Sequence, residues 1–454
     1  MDELRCDICV IGAGSGGLSV AAGAVQMGAS VVLIEGHKMG GDCLNYGCVP
    51  SKALLSAARA SQDYVSAKDH VARTIAAIEP HDSQDRFEGL GCTVIRDYAR
   101  FISPAVVLAG GQHIRARRFV IATGSSPFVP PIDGIDTVEA HTNETIFDLS
   151  EKPKHLIIIG GGPIGIEMAQ AHRGFGCEVT VIEGVEILGN EDRDAADVIR
   201  TSLVEQGVAI LENCKALHIS AENGVTVQTD RGPIVGSHLL VAAGRRVNIG
   251  KLDLAVGGVD HDLKGIHVDP GLRSVSNRNV YAIGDVAGGM QFTHLAGYHA
   301  GVIVRSMLFG LPAKARTEHI PRVTYTSPEL AQIGPTEAEA TEKYGAKLSV
   351  HRVEFAGNDR AVAGGTTVGF LKLMVVKGRP VGVTIVGPQA GELIAMWAMA
   401  IANRSKLSFI ANTVLPYPTL AEINKRAASA YFTPKLFESP LVKRVVGVVQ
   451  RLLP

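Results

Sequence analysis

The sequence is poor in residues that mark several functional classes. Aromatic residues make up 5% of the 454, and one of them is a tryptophan. Acidic and basic residues nearly cancel, 45 against 44, for a formal net charge of −1. That balance lacks the electrostatic footprint of a nucleic-acid binder. Seven cysteines in so long a chain are too few for the disulfide framework of a small secreted domain. The opening Met1-Asp2-Glu3-Leu4-Arg5 lacks the basic-then-apolar order of a signal peptide. One uncharged run, Ile8 to Ile34, is long enough for a membrane span, yet six glycines interrupt it and both ends are β-branched. These features predict a soluble cytoplasmic protein with no nucleic-acid partner.

Glycine is abundant instead: 51 residues, about 11% against a usual level near 7%. With no collagen period and no low-complexity tract, the glycines serve tight turns and close backbone approaches. Two segments use them in the same way. Strand Asp7–Ile11 leads into Gly12-Ala13-Gly14-Ser15-Gly16-Gly17, a small-residue helix, and strand Ser30–Ile34 ending at Glu35. Strand His155–Ile159 leads into Gly160-Gly161-Gly162-Pro163-Ile164-Gly165, a helix, and strand Glu178–Ile182 ending at Glu183. One such glycine signature is weak evidence. Two, each between a strand and a helix with an acid at the same offset, predict two dinucleotide sites. In each, the backbone approaches a pyrophosphate at the positive end of the helix, and the acid accepts hydrogen bonds from a ribose.

At roughly 150 residues per domain the length suggests about three domains. Residues 51–77 read as helical and 93–118 as strands and turns, before Phe119–Gly124. The second unit runs to Leu239–Gly244, and Val280–Asp285 returns to a strand with an acid at its tip. From about His319 the composition shifts to strands (Gly369–Val376, Arg379–Val386) and an apolar helix (Glu392–Ala402). The expected layout is a discontinuous first dinucleotide domain (1–150 and 270–318), a second (151–269) inserted in it, and a third domain (319–454).

The most informative segment is Gly40-Gly41-Asp42-Cys43-Leu44-Asn45-Tyr46-Gly47-Cys48-Val49-Pro50-Ser51-Lys52. Two cysteines separated by four residues follow the first dinucleotide unit. The thiolate is the reactive form of cysteine, and a helix N-terminus lowers its pKa. The segment resembles the class I pyridine nucleotide–disulfide oxidoreductases, a family that includes dihydrolipoamide dehydrogenase, glutathione reductase and mercuric reductase. The resemblance spans nearly the whole chain. It implies an α/β fold of two doubly wound, Rossmann-like nucleotide domains, for FAD and for NAD, plus a C-terminal α+β dimerisation domain, assembled as a homodimer. By the same resemblance Cys48 lies against the flavin as the charge-transfer thiolate, and Cys43 attacks the substrate. Lys52 matches a lysine near the flavin ring and Glu167 the glutamate that pairs with it. Asp285 matches an aspartate on the ribityl chain, Thr123-Gly124-Ser125 a backbone near the pyrophosphate, and His294 a histidine beside the ring. Gly12, Gly14, Gly17, Glu35, Gly41 and Ala99 complete the expected FAD contacts, and Gly160, Gly162, Gly165, Glu183 and Gly244 the NAD contacts.

The nicotinamide carrier follows from charge. An acid at the adenosine ribose repels a 2′-phosphate. Glu183 is followed by no arginine until Arg193, so NADH is favoured over NADPH. Cys6 and Cys9 form a second close pair, with two residues between them, but three positions along a strand separate opposite faces, so neither a disulfide nor a metal site is expected. Cys92, Cys177 and Cys214 are isolated and read as packing residues.

Near the C-terminus the family pattern places a histidine that serves the partner subunit as acid and base, with a glutamate five residues on. Here the positions are Tyr417 and Glu422. A tyrosine near pKa 10 does not cycle protons at neutral pH, so dithiol reduction is expected to be compromised. Mercuric reductase is similar in carrying a tyrosine there, but its C-terminal cysteine pair has no counterpart here. Beyond, apolar residues at 441, 442, 445, 446, 449, 452 and 453 with Lys443, Arg444 and Arg451 make an amphipathic stripe, expected to pack on its own domain or the dimer partner, with membrane-surface contact as the alternative.

The reading is an FAD-dependent NADH oxidoreductase. Electrons pass through the flavin and the Cys43–Cys48 disulfide to a small-molecule or metal-ion acceptor, a reactive electrophile or soft metal ion. A dihydrolipoamide dehydrogenase with a compensated base is the alternative, and a slow-turnover redox-sensing flavoprotein the second. An NADH oxidase or peroxidase is disfavoured, because members of that branch resemble a single-cysteine site.

Overall fold

Long uncharged, β-branched runs form strands buried on both faces, the habit of parallel sheets. The computed structural model describes residues 3–222 and 224–453, and its chain divides into two compact units. The first is Met1–Val185 with Val208–Arg316, the second Glu186–Gly207 with Thr317–Pro454.

In the first unit, one sheet runs Thr93–Ile95, Val31–Ile34, Glu3–Ile11, Gln112–Ile121, Val106–Ala109 and Arg100–Ser103. Its first four strands are parallel and the last two return as an antiparallel meander. Val280–Ala282 joins in parallel beside Gln112–Ile121, so a late segment completes the sheet begun by the first strand. A second sheet runs Ala209–Leu211, Glu178–Ile182, His155–Ile159, His238–Val241 and Ala140–His141, all parallel. Helix Ser15–Gln26 crosses between Glu3–Ile11 and Val31–Ile34, and helix Pro163–Gly174 between His155–Ile159 and Glu178–Ile182. These are the two doubly wound units expected. The strands His155–Ile159 and Glu178–Ile182 carry the predicted bounds. The helix read over 51–77 is two helices, Cys48–Arg59 and Tyr64–Asp82, because Ser61 turns left-handed (φ 56°) and Asp63 caps the second by accepting from the Ser66 N–H.

The first strand corrects one expectation. The amide N–H groups of Asp7 and Ile8 both donate to the carbonyl of Ser30, a local irregularity of the strand. The alternation of side chains changes phase there, although the register with Gln112–Ile121 stays constant. Leu4 and Cys6 before Asp7 therefore pack against the same apolar cluster as Cys9 and Ile11 after it, while Ile8 and Val10 face the other cluster. Cys6 and Cys9 thus share a face instead of opposing one another, and both are free thiols.

The second unit is α+β. Its sheet is antiparallel: Pro321–Thr324, Glu329–Ile333, Arg379–Gly387, Phe370–Val376, Leu348–Glu354. The apolar helix read over 392–402 appears as Ala390–Leu393 and Ala395–Ala402. It buries Trp397, whose indole N–H donates to Asn424 Oδ1 at 2.7 Å. Lys372, 3% exposed, is held by Asp192 (2.9 Å), Asp194 (2.8 Å) and Glu337 (2.7 Å). That ion cluster ties Glu186–Gly207 to the sheet. The C-terminal stripe does form a helix, Pro440–Leu452, and none of its residues is fully buried. Among the described residues no helix is long and apolar enough to cross a membrane.

Candidate active site

Each glycine loop is shaped by close backbone approach. Gly12 sits at φ 106°, and a Cβ there would lie 2.4 Å from the Ala122 carbonyl oxygen; one on Gly17 would lie 1.9 Å from the Gly12 oxygen. Gly160 (φ 113°) and Gly165 repeat this, with 2.4 Å to the Ala242 oxygen and 2.0 Å to the Gly160 oxygen. Gly41, at the next turn, approaches Gly14, and a Cβ on it would meet the Gly14 Cα at 2.8 Å. Gly162 and Gly244 face open space. The acids close the loops: Glu35 accepts from the Ala13 and His37 N–H groups (2.6 and 2.7 Å), and Glu183 from those of Gly161 and Val185 (2.7 and 3.0 Å). Both sites therefore expose bare backbone at a helix N-terminus with a carboxylate at its edge. These cradles fit two dinucleotides.

Cys43 lies in the short helix Gly41–Asn45, and Cys48 is the first residue of helix Cys48–Arg59. The two thiols influence each other's ionisation in opposite directions. Cys43 is the main reason the Cys48 pKa falls to about 6, against the opposing effect of burial. Thr293, 3.6 Å from the Cys48 sulfur, and Lys52 lower it further. The Cys43 thiol is pushed up by Cys48 and by burial. The pair thus holds one anion, on Cys48, stabilised as the first residue of a helix would be. Lys52 Nζ meets Glu167 Oε2 at 2.7 Å, and the Glu167 side chain is 5% exposed, so the cation beside the thiols is held from below by a buried carboxylate. His294 follows Thr293 and stacks on Phe292, centroids 5.3 Å apart.

Sequence reasoning found Ser125 and Asp285 but not the groups that connect them. Ser125 Oγ donates to Asp285 Oδ2 at 2.5 Å, and Arg245 donates to the Ser125 hydroxyl (2.8 Å) and carbonyl (2.7 Å). Arg245 also pairs with Asp42 at 3.2 Å, the residue before Cys43, which accepts in addition from Asn143 at 3.1 Å. Burial raises the Asp285 pKa. Gly284 donates its N–H to His299 Nδ1 at 3.2 Å, and burial pushes that histidine down to about 4, so it is a neutral acceptor. Thr123 Oγ1 donates to the Asn248 carbonyl at 2.7 Å and Asn248 N–H to the Gly124 carbonyl at 3.0 Å. The adjacent placement of Asp42 and Cys43, and of Gly244 and Arg245, was the available signal. Ala99 is buried in the apolar cluster beneath the first sheet, beside Phe101.

Tyr417 and Glu422 belong to the second unit. Tyr417 is 70% exposed, and its hydroxyl donates to Asp359 Oδ2 at 2.8 Å, which raises its pKa. Glu422 opens helix Glu422–Ala430, with Oε2 buried and without a hydrogen-bond partner among the described residues.

Two dinucleotide cradles and a dithiol with one anionic sulfur define a class of protein, the flavin-dependent disulfide oxidoreductases that use nicotinamide. Comparison with known families agrees. The model described as pyridine nucleotide-disulphide oxidoreductase matches residues 6–300, and that of its dimerisation domain residues 320–428. The chain belongs to the pyridine nucleotide-disulphide oxidoreductase family. It is 31% identical over 457 residues to a mercuric reductase of Lysinibacillus sphaericus, spanning 95% of this chain and 83% of that one. It is 33% identical to a dihydrolipoyl dehydrogenase of Geobacillus stearothermophilus, spanning 94% and 96%. Among solved structures, a Cu(II) complex of the HOCl-induced flavoprotein disulfide reductase RclA from Escherichia coli superposes with a TM-score of 0.87 at 29% identity, over 94% of this chain and 99% of that one.

Proposed function

We propose that this protein is a homodimeric NADH-dependent reductase whose Cys43–Cys48 pair delivers two electrons to a reactive oxidant or thiol-seeking metal ion. FAD, when bound, relays two electrons between the nicotinamide and the disulfide. It would be held by the Gly12–Gly17 loop, Glu35, Gly41, Ser125 and Asp285, and NADH by the Gly160–Gly165 loop and Glu183. In the reduced pair, Cys43 is the exchanging thiol and Cys48 the resting thiolate. As the acceptor takes two electrons, the sulfurs close to a disulfide and release their remaining proton. Lys52, held by Glu167, keeps a positive charge beside that sulfur in every cycle.

One observation carries the choice of acceptor. The hydroxyl at the family's histidine position is bonded to Asp359 and its pKa is raised. A tyrosine so placed is no base at neutral pH, and general-base catalysis is worth about 10²–10⁴ in rate. Acceptors that need little proton management suit this site. The similar reductase solved with Cu(II) is described as HOCl-induced, which sets a metal and an oxidant beside the same core. A dihydrolipoyl dehydrogenase role is the second reading, supported by the near-complete span of such a relative.

The test is steady-state turnover of FAD-loaded protein across about pH 6–9 with dihydrolipoamide and NAD⁺, and with NADH and mercuric, cupric or hypochlorous acceptors. A dihydrolipoamide rate near the common enzyme value of about 10 s⁻¹ would transfer the assignment to the second reading. Cys43→Ser should abolish acceptor turnover while NADH still bleaches the flavin. Full turnover in that variant would sink the dithiol mechanism.

A further inference from the structure

The C-terminal helix Pro440–Leu452 lies past the residues matched by the dimerisation domain, which end at 428, and none of its thirteen residues is buried. Ser439 starts it, accepting from the Val442 N–H. At 3.6 residues per turn, Leu441, Val445, Val448, Val449 and Leu452 fall on one arc about 160° wide with Val442 and Val446. Leu441 and Leu452 are 70% and 76% exposed. Lys443, Arg444 and Arg451 occupy the opposite arc, and residues 439–453 contain no aspartate or glutamate. A face so apolar, bordered by cations alone, is not a solvated helix. The helix is about 20 Å long, short of the roughly 30 Å of a bilayer's hydrocarbon core.

We propose that this helix docks the protein on an anionic lipid surface. It would lie in the plane of the interface, with the valines and leucines among the acyl chains and the three cations among the headgroups. The charge pattern selects the occupant. A second copy of this helix, which contains no aspartate or glutamate, offers nothing to the three cations. A sheet of anionic headgroups matches them and accepts the apolar arc in the same contact.

Flotation of the full-length, FAD-loaded protein on vesicles tests the proposal, with phosphatidylcholine alone or mixed with phosphatidylglycerol. The protein should float with the mixed vesicles only, and less so as salt is raised. Each basic residue near such a surface contributes about fivefold in affinity, so Lys443→Gln/Arg444→Gln/Arg451→Gln should bind about a hundredfold more weakly. Val445→Asp/Val449→Asp should not float at all. Both variants should retain NADH–ferricyanide activity, which reports the fold independently. The proposal is overturned if neither vesicle binds, if both bind equally, or if the glutamine variant floats unchanged. A drop in solution mass in the aspartate variant, without vesicle binding by the parent, would show that a second copy covers the face.

Discussion

The effect of Cys43 on Cys48 makes a quantitative prediction about reactivity. An unperturbed thiol near pKa 9 is about 1% ionised at pH 7, whereas Cys48, near 6, is about 90% thiolate. That difference does not translate directly into rate, because thiolate nucleophilicity falls with pKa, with a Brønsted coefficient of about 0.4–0.5. A drop of about three units costs roughly twentyfold in intrinsic reactivity, leaving a net gain of only about fourfold at pH 7. At pH 5.5 the ionised fractions diverge further and the net gain rises to about thirtyfold. The diagnostic quantity is therefore the midpoint of the pH profile. Iodoacetamide alkylation of the reduced protein, mapped by mass spectrometry from about pH 4 to 9, should place Cys48 near 6. Four other sulfurs titrate well away from it: burial raises the Cys6 pKa to about 11 and holds Cys9, Cys92 and Cys177 above the ordinary value. Cys43→Ala removes the main stabilising donor and should move the midpoint back toward the ordinary range, while Cys43→Ser keeps a donor and should hold it lower. Lys52→Met should move it less than Cys43→Ala. A parent midpoint of 8 to 9, or an unchanged midpoint in Cys43→Ala, would refute the reasoning.

Three further outcomes follow from the geometry. Gly165→Ala, whose methyl would meet the Gly160 oxygen, should keep full FAD content and raise the NADH KM at least about tenfold, whereas Gly162→Ala, facing open space, should change KM little; equal KM values in the two variants would contradict the steric argument. Lys372→Met leaves Asp192 buried without its cation and should cost about 3–5 kcal/mol in denaturant unfolding, partly recovered by adding Asp192→Leu; a loss below 1 kcal/mol would show that the cluster is solvated. Tyr417→His should raise dihydrolipoamide-dependent NAD⁺ reduction by about 10²-fold or more near pH 8, and no gain would mean that proton transfer is handled elsewhere.

Much of this was legible in the sequence because backbone constraints write themselves as glycine. Gly12, Gly17, Gly160 and Gly165 are where any side chain would strike a carbonyl, and the strands between them needed only uncharged β-branched runs. Cys43 and Cys48 were legible because their spacing and neighbours are distinctive. What was not legible depends on pairings far apart in the chain. No local pattern links Asp42 to Arg245, or Arg245 to Ser125 and Asp285, since each partner is an ordinary polar residue in its own segment. Thr293 reads as the start of a helix, and only the fold brings it to the Cys48 sulfur. The irregularity at Asp7 was hidden for another reason: alternation assumes a regular strand, and here the phase of the side chains changes at that residue.

The ion cluster around Lys372 bears on the order in which the chain can fold as it emerges from the ribosome. Asp192 and its cation are 180 residues apart in sequence. At about 5–20 residues per second, the segment from Glu186 to Gly207 waits roughly 10–40 s for the strand that neutralises it. Synthesis must therefore nearly finish before the second unit can close, whereas the first strand, its helix and the next strand are in hand from the start. A nascent chain arrested before residue 372 would carry Asp192 and Asp194 without their cation, and a fragment beginning at Thr317 would carry the cation without Asp192 and Asp194. Limited proteolysis of stalled chains should accordingly find residues 186–207 cleavable until the C-terminal sheet is made.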